Sequence, residues 1–267
     1  MSSRSGRLDV HEYGDSSAPT LLVLHGLTDS GRCWGDLVER LGPSYRIVAP
    51  DALGHGGSER FTAEELAGSP GAALGETTEL LLEELASDSP VLVLGHSMGG
   101  ATAADLAARR PELVAAVVLE DPAWRDPLDP EVARAHAAER VAWVRQATAD
   151  PERALEEMRR DLAAWPQGEV AACAEARTQV DLDFLGRGLV TPPRPWREVA
   201  AAITPPTLVV TGDGVVLVDD ERRKDLAELG NPALEVEVVR GAGHCVRRER
   251  GDAFHAVVDP WLRAHAA

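Results

Sequence analysis

Six short apolar runs alternate with longer helical patterns along the 267-residue chain, and this alternation constrains the fold more than any other feature. The runs lie at 20–26, 45–51, 91–97, 114–121, 206–212 and 234–243. Four of them are almost continuously apolar, as buried parallel strands usually are. Helical patterns lie at 34–41, 71–86, 98–109, 220–229 and 252–265. We therefore predict an α/β fold with a mostly parallel, doubly wound sheet.

One segment departs from this alternation. Residues 122–202 contain helical, Ala/Arg/Glu-rich patterns and end in the proline-rich stretch "TPPRPW". Four of the six tryptophans lie there. We predict a core of residues 1–121 and 203–267, with 122–202 inserted as a helical cap. Trp124 and Trp143 of this segment are the predicted substrate contacts.

The overall charge restricts the partners. A formal net charge of −17 disfavours nucleic acids and anionic membranes, since both repel an acidic surface. The first residues contain no apolar leader segment, which predicts a cytoplasmic location. Cys33, Cys173 and Cys245 are odd in number and far apart, so they form neither a disulfide framework nor the close pairs of a zinc site. We expect a small-molecule substrate and no metal or cofactor. The sequence leaves the oligomeric state open.

The strongest local motif is "LGHSMGG" at 94–100, which fits G-x-S-x-G with Ser97 at its centre. It lies between an apolar strand pattern and a helical pattern, and this is the context that a nucleophilic serine at a sharp strand-to-helix turn requires. The N–H of Met98, at the start of the helix, is a predicted oxyanion donor. "HGLTDSG" at 25–31 follows the first apolar run, where the N–H of Leu27 is the predicted second donor.

Four segments, "HGLTDSG", "DALGHGGS", "GHSMGG" and "GAGHCV", resemble the α/β-hydrolase superfamily in their order and spacing. The resemblance covers nearly the whole chain, with 122–202 at the position of the family's variable cap. It implies that His244, on a Gly-rich loop between the last strand and the last helix, is the catalytic base. A neutral imidazole can accept the Ser97 proton and return it to the leaving group.

The acid of the triad is the open question. Members of the superfamily often carry it in a G-x-x-D turn, but the matching residues here are Gly212 to Val215, and valine cannot orient an imidazole. Some members use a glutamate at the tip of the strand after the nucleophile helix, where this chain has Glu120. We therefore favour Glu120, with Asp213 and Asp121 as alternatives. The order Ser97, Glu120, His244 keeps nucleophile, acid and base in the family's sequence order.

The favoured function is a serine hydrolase that cleaves a carboxylic ester or lactone with an apolar acyl part. Haloalkane dehalogenase and epoxide hydrolase chemistry is disfavoured, because those relatives carry aspartate where this chain has Ser97. Two alternatives stay open. One is a non-hydrolytic, C–C bond-cleaving or cyclising enzyme of a biosynthetic pathway. The other is a degenerate small-molecule binding protein, for which Val215 is the support.

Overall fold

A single sheet organises the molecule. The computed structural model describes residues 6–126, 129–188 and 190–266. The strands are β1 Val10–Tyr13, β2 Thr20–Leu24, β3 Arg46–Pro50, β4 Val91–His96, β5 Val114–Glu120, β6 Thr207–Gly212 and β7 Leu234–Val239. They lie in the order β1-β3-β2-β4-β5-β6-β7, with β1 antiparallel to β3 and every other pair parallel. The predicted mostly parallel α/β sheet is confirmed.

Helices cover both faces of this sheet, as the alternating pattern predicts. They are α1 Gly35–Leu41, α2 Ala63–Ala67, α3 Pro70–Leu85, α4 Met98–Arg109, α5 Pro130–Ala149, α6 Pro151–Asp161, α7 Gln167–Arg177, α8 Leu182–Arg187, α9 Trp196–Ala202, α10 Asp220–Leu229, α11 Val246–Glu249 and α12 Gly251–His265, with a 3₁₀ turn at Pro111–Leu113. Within the described residues, none of these helices is both long enough and apolar enough to cross a bilayer.

The core consists of two layers, one on each face of the sheet. Leu22 and Leu24 of β2 pack in the layer that includes α3, α4, α9 and α10, while Leu21 and Val23 pack in the layer that includes α1, α11 and α12. This division follows from the strand, in which successive side chains point to opposite faces. Burying each such aliphatic side chain contributes about 1.5–3 kcal/mol, so the central strands must be apolar on both faces.

The helices between β5 and β6 form two packing groups. Val144 of α5 packs with Leu185 of α8, and Met158 of α6 packs with Val170 of α7. By contrast, α9 joins the core beside α4, since Trp196 is buried with the residues of that layer. The end of the cap at residue 202 stays a prediction, and the packing of α9 associates that helix with the core.

Glutamate 169 connects α7 to the sheet domain. Its Oε1 accepts hydrogen bonds from the N–H of Asp36 (2.8 Å) and from Arg247 Nη1 (2.6 Å), and its Oε2 accepts one from Arg248 Nε (3.0 Å). All three charged side chains are buried, and a buried carboxylate is stable only when it is paired in this way. The α7 helix is therefore held in a defined position above the carboxyl ends of the strands.

Candidate active site

Ser97 lies in a sharp turn between β4 and α4. Its backbone has φ 53° and ψ −112°, a conformation that a residue with a side chain rarely adopts. The turn is possible because Gly95 and Gly99 lack a Cβ. A Cβ on Gly95 would clash with the backbone of Gly99, and one on Gly99 would clash with the backbone of Leu24. Such strain costs about 1–3 kcal/mol and is typical of functional sites.

His244 reaches Ser97 from the loop after β7. Its Nε2 lies 2.9 Å from Ser97 Oγ. Glu249 fixes the loop, because its carboxylate accepts hydrogen bonds from the N–H groups on both sides of the histidine, those of Gly243 (2.6 Å) and Cys245 (3.2 Å). Glu249 belongs to none of the four sequence motifs, so no pattern in the sequence predicts this role. These two hydrogen bonds hold the backbone around His244 in the position from which its imidazole contacts Ser97.

Asp121 is the carboxylate that contacts His244. Its Oδ2 lies 2.6 Å from His244 Nδ1 and also accepts the N–H of Leu217 at 2.9 Å. Its Oδ1 accepts the Thr211 hydroxyl at 2.8 Å and the N–H of Val218 at 2.9 Å. The side chain is completely buried, so these four contacts replace the water that an ionised carboxylate requires.

The preference for Glu120 as the acid is therefore corrected. Glu120 is the last residue of β5 and points to the other side of the strand, where its Oε1 accepts the N–H of Arg247 at 2.8 Å. Asp121 has φ 39° and leaves the extended conformation, which brings its side chain to His244. Asp213 does not contact His244 either. It is exposed, and its Oδ1 accepts the N–H of Gly241 at 2.6 Å.

The loop after β6 has valine where relatives often carry the acid, but it still helps to orient the carboxylate that contacts His244. Val215 is 91% exposed, and the carboxylate partner of His244 Nδ1 is Asp121. Two residues further on, the same loop donates the Leu217 and Val218 N–H groups to Asp121. The loop therefore orients the carboxylate through its backbone, and the carboxylate itself comes from the neighbouring strand.

Glu120→Gln is expected to stabilise the fold at neutral pH. Burial raises the pKa of Glu120 above its ordinary value of 4.5, although Arg247 opposes the shift. Since this pKa is higher in the folded state, Glu120 contributes stability below about pH 4.5 that is lost as the pH rises through the folded pKa. The difference in melting temperature between Glu120→Gln and the native chain should therefore grow as the pH rises from about 4 towards about 7. It should amount to about 2–4 °C for each kcal/mol that the variant gains in the free energy of unfolding.

Glu237→Gln is the matched control for this titration, because Glu237 is exposed on β7 and the substitution changes the net charge equally. The melting temperature of this variant should follow that of the native chain at every pH. An advantage of Glu120→Gln that stays constant or shrinks with rising pH would contradict a buried, unfavourably charged Glu120.

The two predicted oxyanion donors are free. Among residues 6–126, 129–188 and 190–266, neither the N–H of Leu27 nor that of Met98 has a hydrogen-bond acceptor. His25 explains the orientation of the Leu27 N–H. Since His25 Nε2 accepts the Ala52 N–H, its Nδ1 donates to the Gly26 carbonyl at 2.8 Å. In a trans peptide the carbonyl and the next N–H point in opposite directions, so the Leu27 N–H points away from His25.

A cavity of about 650 Å³ lies over this group of residues. Its lining includes Leu27, Ser97, Trp143, Met158, Trp165 and His244. Trp143, one of the two predicted substrate contacts, lines the cavity. Trp124, the other, does not. It is buried in the core and stacks on Trp196 with 5.6 Å between ring centroids, so its predicted role as a substrate contact is corrected.

Other nucleophilic and basic groups near the cavity are held in their uncharged forms. Burial raises the pKa of the Cys245 thiol to about 12, which suppresses the reactive thiolate. Burial, with the neighbouring His244, lowers the pKa of His96 well below its ordinary value. His96 instead hydrogen-bonds through Nε2 to the His244 carbonyl at 3.1 Å. Ser97 and His244 are therefore the pair suited to proton transfer and nucleophilic attack.

Two clusters within the described residues have the spacing of possible metal ligands. Asp29, Cys33 and Cys173 form one, and Asp9, His11 and Asp51 form the other. Protein groups already engage them: Asp29 accepts from Arg248 Nη2 at 2.9 Å, and Asp51 accepts from the N–H groups of Gly31 and Gly57. These hydrogen bonds explain the positions of both aspartates.

The model of the family described as "Alpha/beta hydrolase family" matches residues 21–257. The chain belongs to this family. It is 39% identical over 178 residues to lipase LipV of Mycobacterium tuberculosis, covering 60% of this chain and 64% of that one. It is 39% identical over 110 residues to the magnesium-chelatase 30 kDa subunit of Rhodobacter capsulatus, covering 40% and 37%. The aligned parts thus span less than two thirds of either relative.

Solved structures of α/β hydrolases superpose on nearly the whole chain. E-2-(acetamidomethylene)succinate hydrolase has a TM-score of 0.77 at 22% identity and covers 96% of this chain and 95% of its own. The enol-lactonase from Burkholderia xenovorans has a TM-score of 0.72 at 24% identity and covers 96% of each chain. At these identities the likeness concerns the fold. It confirms the α/β-hydrolase architecture expected from the four motifs.

Proposed function

We propose that this α/β hydrolase is a serine hydrolase that cleaves carboxylic esters or lactones by acyl transfer to water. The observation that carries the proposal is the continuous hydrogen-bonded row from Ser97 Oγ through His244 to Asp121. The free N–H groups of Leu27 and Met98 supply the complementary part of such a site. The likeness to lipase LipV over 60% of this chain agrees with this activity.

The hydrogen bonds determine which nitrogen of His244 carries the proton. Asp121 already accepts from three protein donors, and an ionised carboxylate is an acceptor only, so its fourth partner must also donate. His244 Nδ1 therefore carries the hydrogen, and the Nε2 lone pair faces Ser97. In this tautomer the imidazole can remove the serine proton as Oγ attacks a carbonyl carbon.

The remaining steps use the same groups. The oxygen of the tetrahedral intermediate becomes negative, and the N–H groups of Leu27 and Met98 stabilise it. Protonated His244 donates its Nε2 proton to the departing alcohol oxygen and leaves an acyl group on Ser97. Water then attacks the acyl carbon while His244 accepts its proton, and His244 returns this proton to Ser97 Oγ as the acyl–Oγ bond breaks and the acid departs. The buried Asp121 stabilises the imidazolium that forms in each half-reaction.

A fluorophosphonate probe tests this proposal directly, because it reacts with serines that a neighbouring base activates. We expect stoichiometric labelling of the native chain at neutral pH, with the modified residue mapped to Ser97 by peptide mass spectrometry. Heat-denatured protein is the control and should not react, since denaturation separates Ser97 from His244. Labelling at another serine, or no labelling of the folded protein, would refute the proposed function and favour a binding protein.

A further inference from the structure

Arginine side chains give part of the cavity wall a charge opposite to that of the whole molecule. Arg125, Arg140, Arg177 and Arg248 all line the cavity that contains Ser97, although the chain has a formal net charge of −17. Arg248 is neutralised within the protein, since its Nη2 lies 2.9 Å from Asp29 and its Nε lies 3.0 Å from Glu169. The other three therefore determine the local excess of positive charge.

Arg177, the last residue of α7, is the most informative of the three. It is only 9% exposed, yet it has no hydrogen bond or ion pair with any described part of the chain, and its buried Nε lacks an acceptor. Its guanidinium stacks on Trp143, with Cζ 3.5 Å from the ring centroid. This contact fixes the plane of the guanidinium, and its hydrogen-bond donors have no acceptor among the residues that the structure describes.

Leaving a buried cation without a partner is unfavourable for folding. Burial lowers the pKa of Arg177 to about 10, so the side chain still carries its charge at neutral pH. Burial also lowers the pKa of Arg125 and of Arg140, and the positive charge of Arg125 contributes to the shift at Arg140. Destabilising features of this kind are characteristic of groups that await a ligand.

The acidic residues of the cavity do not neutralise this cluster. Asp29 is engaged by Arg248. Glu139 lines the cavity but is exposed to solvent and forms no ion pair with the described arginines. The one remaining carboxylate of the lining is thus exposed and pairs with none of the three guanidinium groups, and Arg177 has the least access to water of the three.

From this geometry we propose that Arg177 binds a carboxylate of the substrate, so that the enzyme acts on esters or lactones that carry a second, anionic carboxylate. This inference rests on the proposed esterase function and specifies its substrate class. The planar guanidinium can donate two parallel hydrogen bonds to a carboxylate, and the Trp143 ring restricts it to one plane. The tryptophan and leucine parts of the wall would contact the carbon chain between the two carboxyl groups.

Two esters of equal shape and different charge test the inference. Monomethyl glutarate ends in a carboxylate, and methyl 5-methylhexanoate replaces this carboxylate with an isopropyl group. We expect the native chain to prefer the glutarate ester in kcat/KM. Arg177→Met should lower kcat/KM for the glutarate ester by about 10- to 100-fold, as expected when a charge-assisted hydrogen bond is lost, and should lower that for the neutral ester much less.

Arg160→Met is the matched control, because this substitution changes the net charge by the same amount. Arg160 is exposed on α6 and pairs with Asp161. It should alter neither rate. Arg177→Lys keeps the charge but lacks the planar fork, so it should retain part of the preference for the glutarate ester. Melting temperatures provide a second readout: Arg177→Met should be at least as stable as the native chain, because it removes an unpaired buried charge.

The outcomes separate this inference from the proposed function. An equal loss for both esters in Arg177→Met, or no preference for the anionic ester in the native chain, would overturn the substrate class while leaving the esterase intact. If fluorophosphonate labelling fails, glutarate binding to Ser97→Ala by calorimetry still tests Arg177. Saturable binding that disappears in Ser97→Ala/Arg177→Met supports the inference, and binding that is absent or unchanged overturns it.

Discussion

Ser97→Ala is expected to abolish fluorophosphonate labelling and to lower kcat for ester hydrolysis by about 10⁵- to 10⁶-fold, with little change in KM. The alanine preserves the strained turn, because Gly95 and Gly99 still give the backbone the space it needs. The variant should therefore fold and bind substrate normally. What it loses is the oxygen that lies 2.9 Å from His244 Nε2.

Progress curves for an activated ester, together with melting temperatures, measure this prediction. Ser17→Ala is a suitable control, since Ser17 lies exposed in the turn before β2 and hydrogen-bonds to its near neighbour Asp15. It should be fully active. A Ser97→Ala variant with native turnover would show that hydrolysis does not proceed through an acyl enzyme on this serine.

Most of the sheet can be predicted from the sequence, because burial on both faces requires continuous apolar runs. All six predicted strand segments correspond to β2 to β7. The strand β1 escapes this reasoning. Its sequence "VHEY" has two adjacent polar residues at its centre, it lies at the edge of the sheet, and most of its side chains are half-buried. A short edge strand lacks the apolar pattern that identifies its neighbours.

The contact between Ser97 and His244 was predictable because each residue lies in local backbone geometry that glycines reveal. The identity of the carboxylate that contacts His244 depends on a finer feature. Glu120 and Asp121 are adjacent at the end of β5, and neighbouring side chains of a strand point to opposite faces. The choice between them depends on where the extended conformation ends. The signal in the sequence is the pair Asp121-Pro122, because aspartate tolerates a positive φ better than glutamate and proline favours a turn.

The arginines of the cavity could not be predicted in the same way. Arg125, Arg140 and Arg177 lie far apart in the sequence, among 27 basic residues that are mostly on the surface or in ion pairs. What distinguishes Arg177 is the absence of a partner among the described residues, and no motif encodes an absence. Arg177 is identified as a cavity residue only from the packing of α7 over the carboxyl ends of the strands.

Asp121→Asn is expected to lower kcat by about 10³- to 10⁴-fold, the range known for the corresponding change in a protease triad. Three protein donors point at the two carboxylate oxygens, so in either orientation the Asn NH₂ group meets a donor. The orientation that places NH₂ toward His244 reverses the imidazole tautomer and puts a hydrogen on Nε2. His244 then cannot accept the Ser97 proton.

Glu120→Gln is the decisive comparison, because it makes the same chemical change one residue away. Its amide oxygen can still accept the N–H of Arg247, and it forms no hydrogen bond with His244, so activity should fall less than about 10-fold. Asp213→Asn should be similarly mild, since that exposed side chain accepts the N–H of Gly241. A severe loss in Glu120→Gln or Asp213→Asn beside a mild one in Asp121→Asn would contradict the acid that the geometry selects. Adding a carboxylate by Val215→Asp should not rescue Asp121→Asn, because that position is 91% exposed, whereas His244 Nδ1 faces the fully buried residue 121.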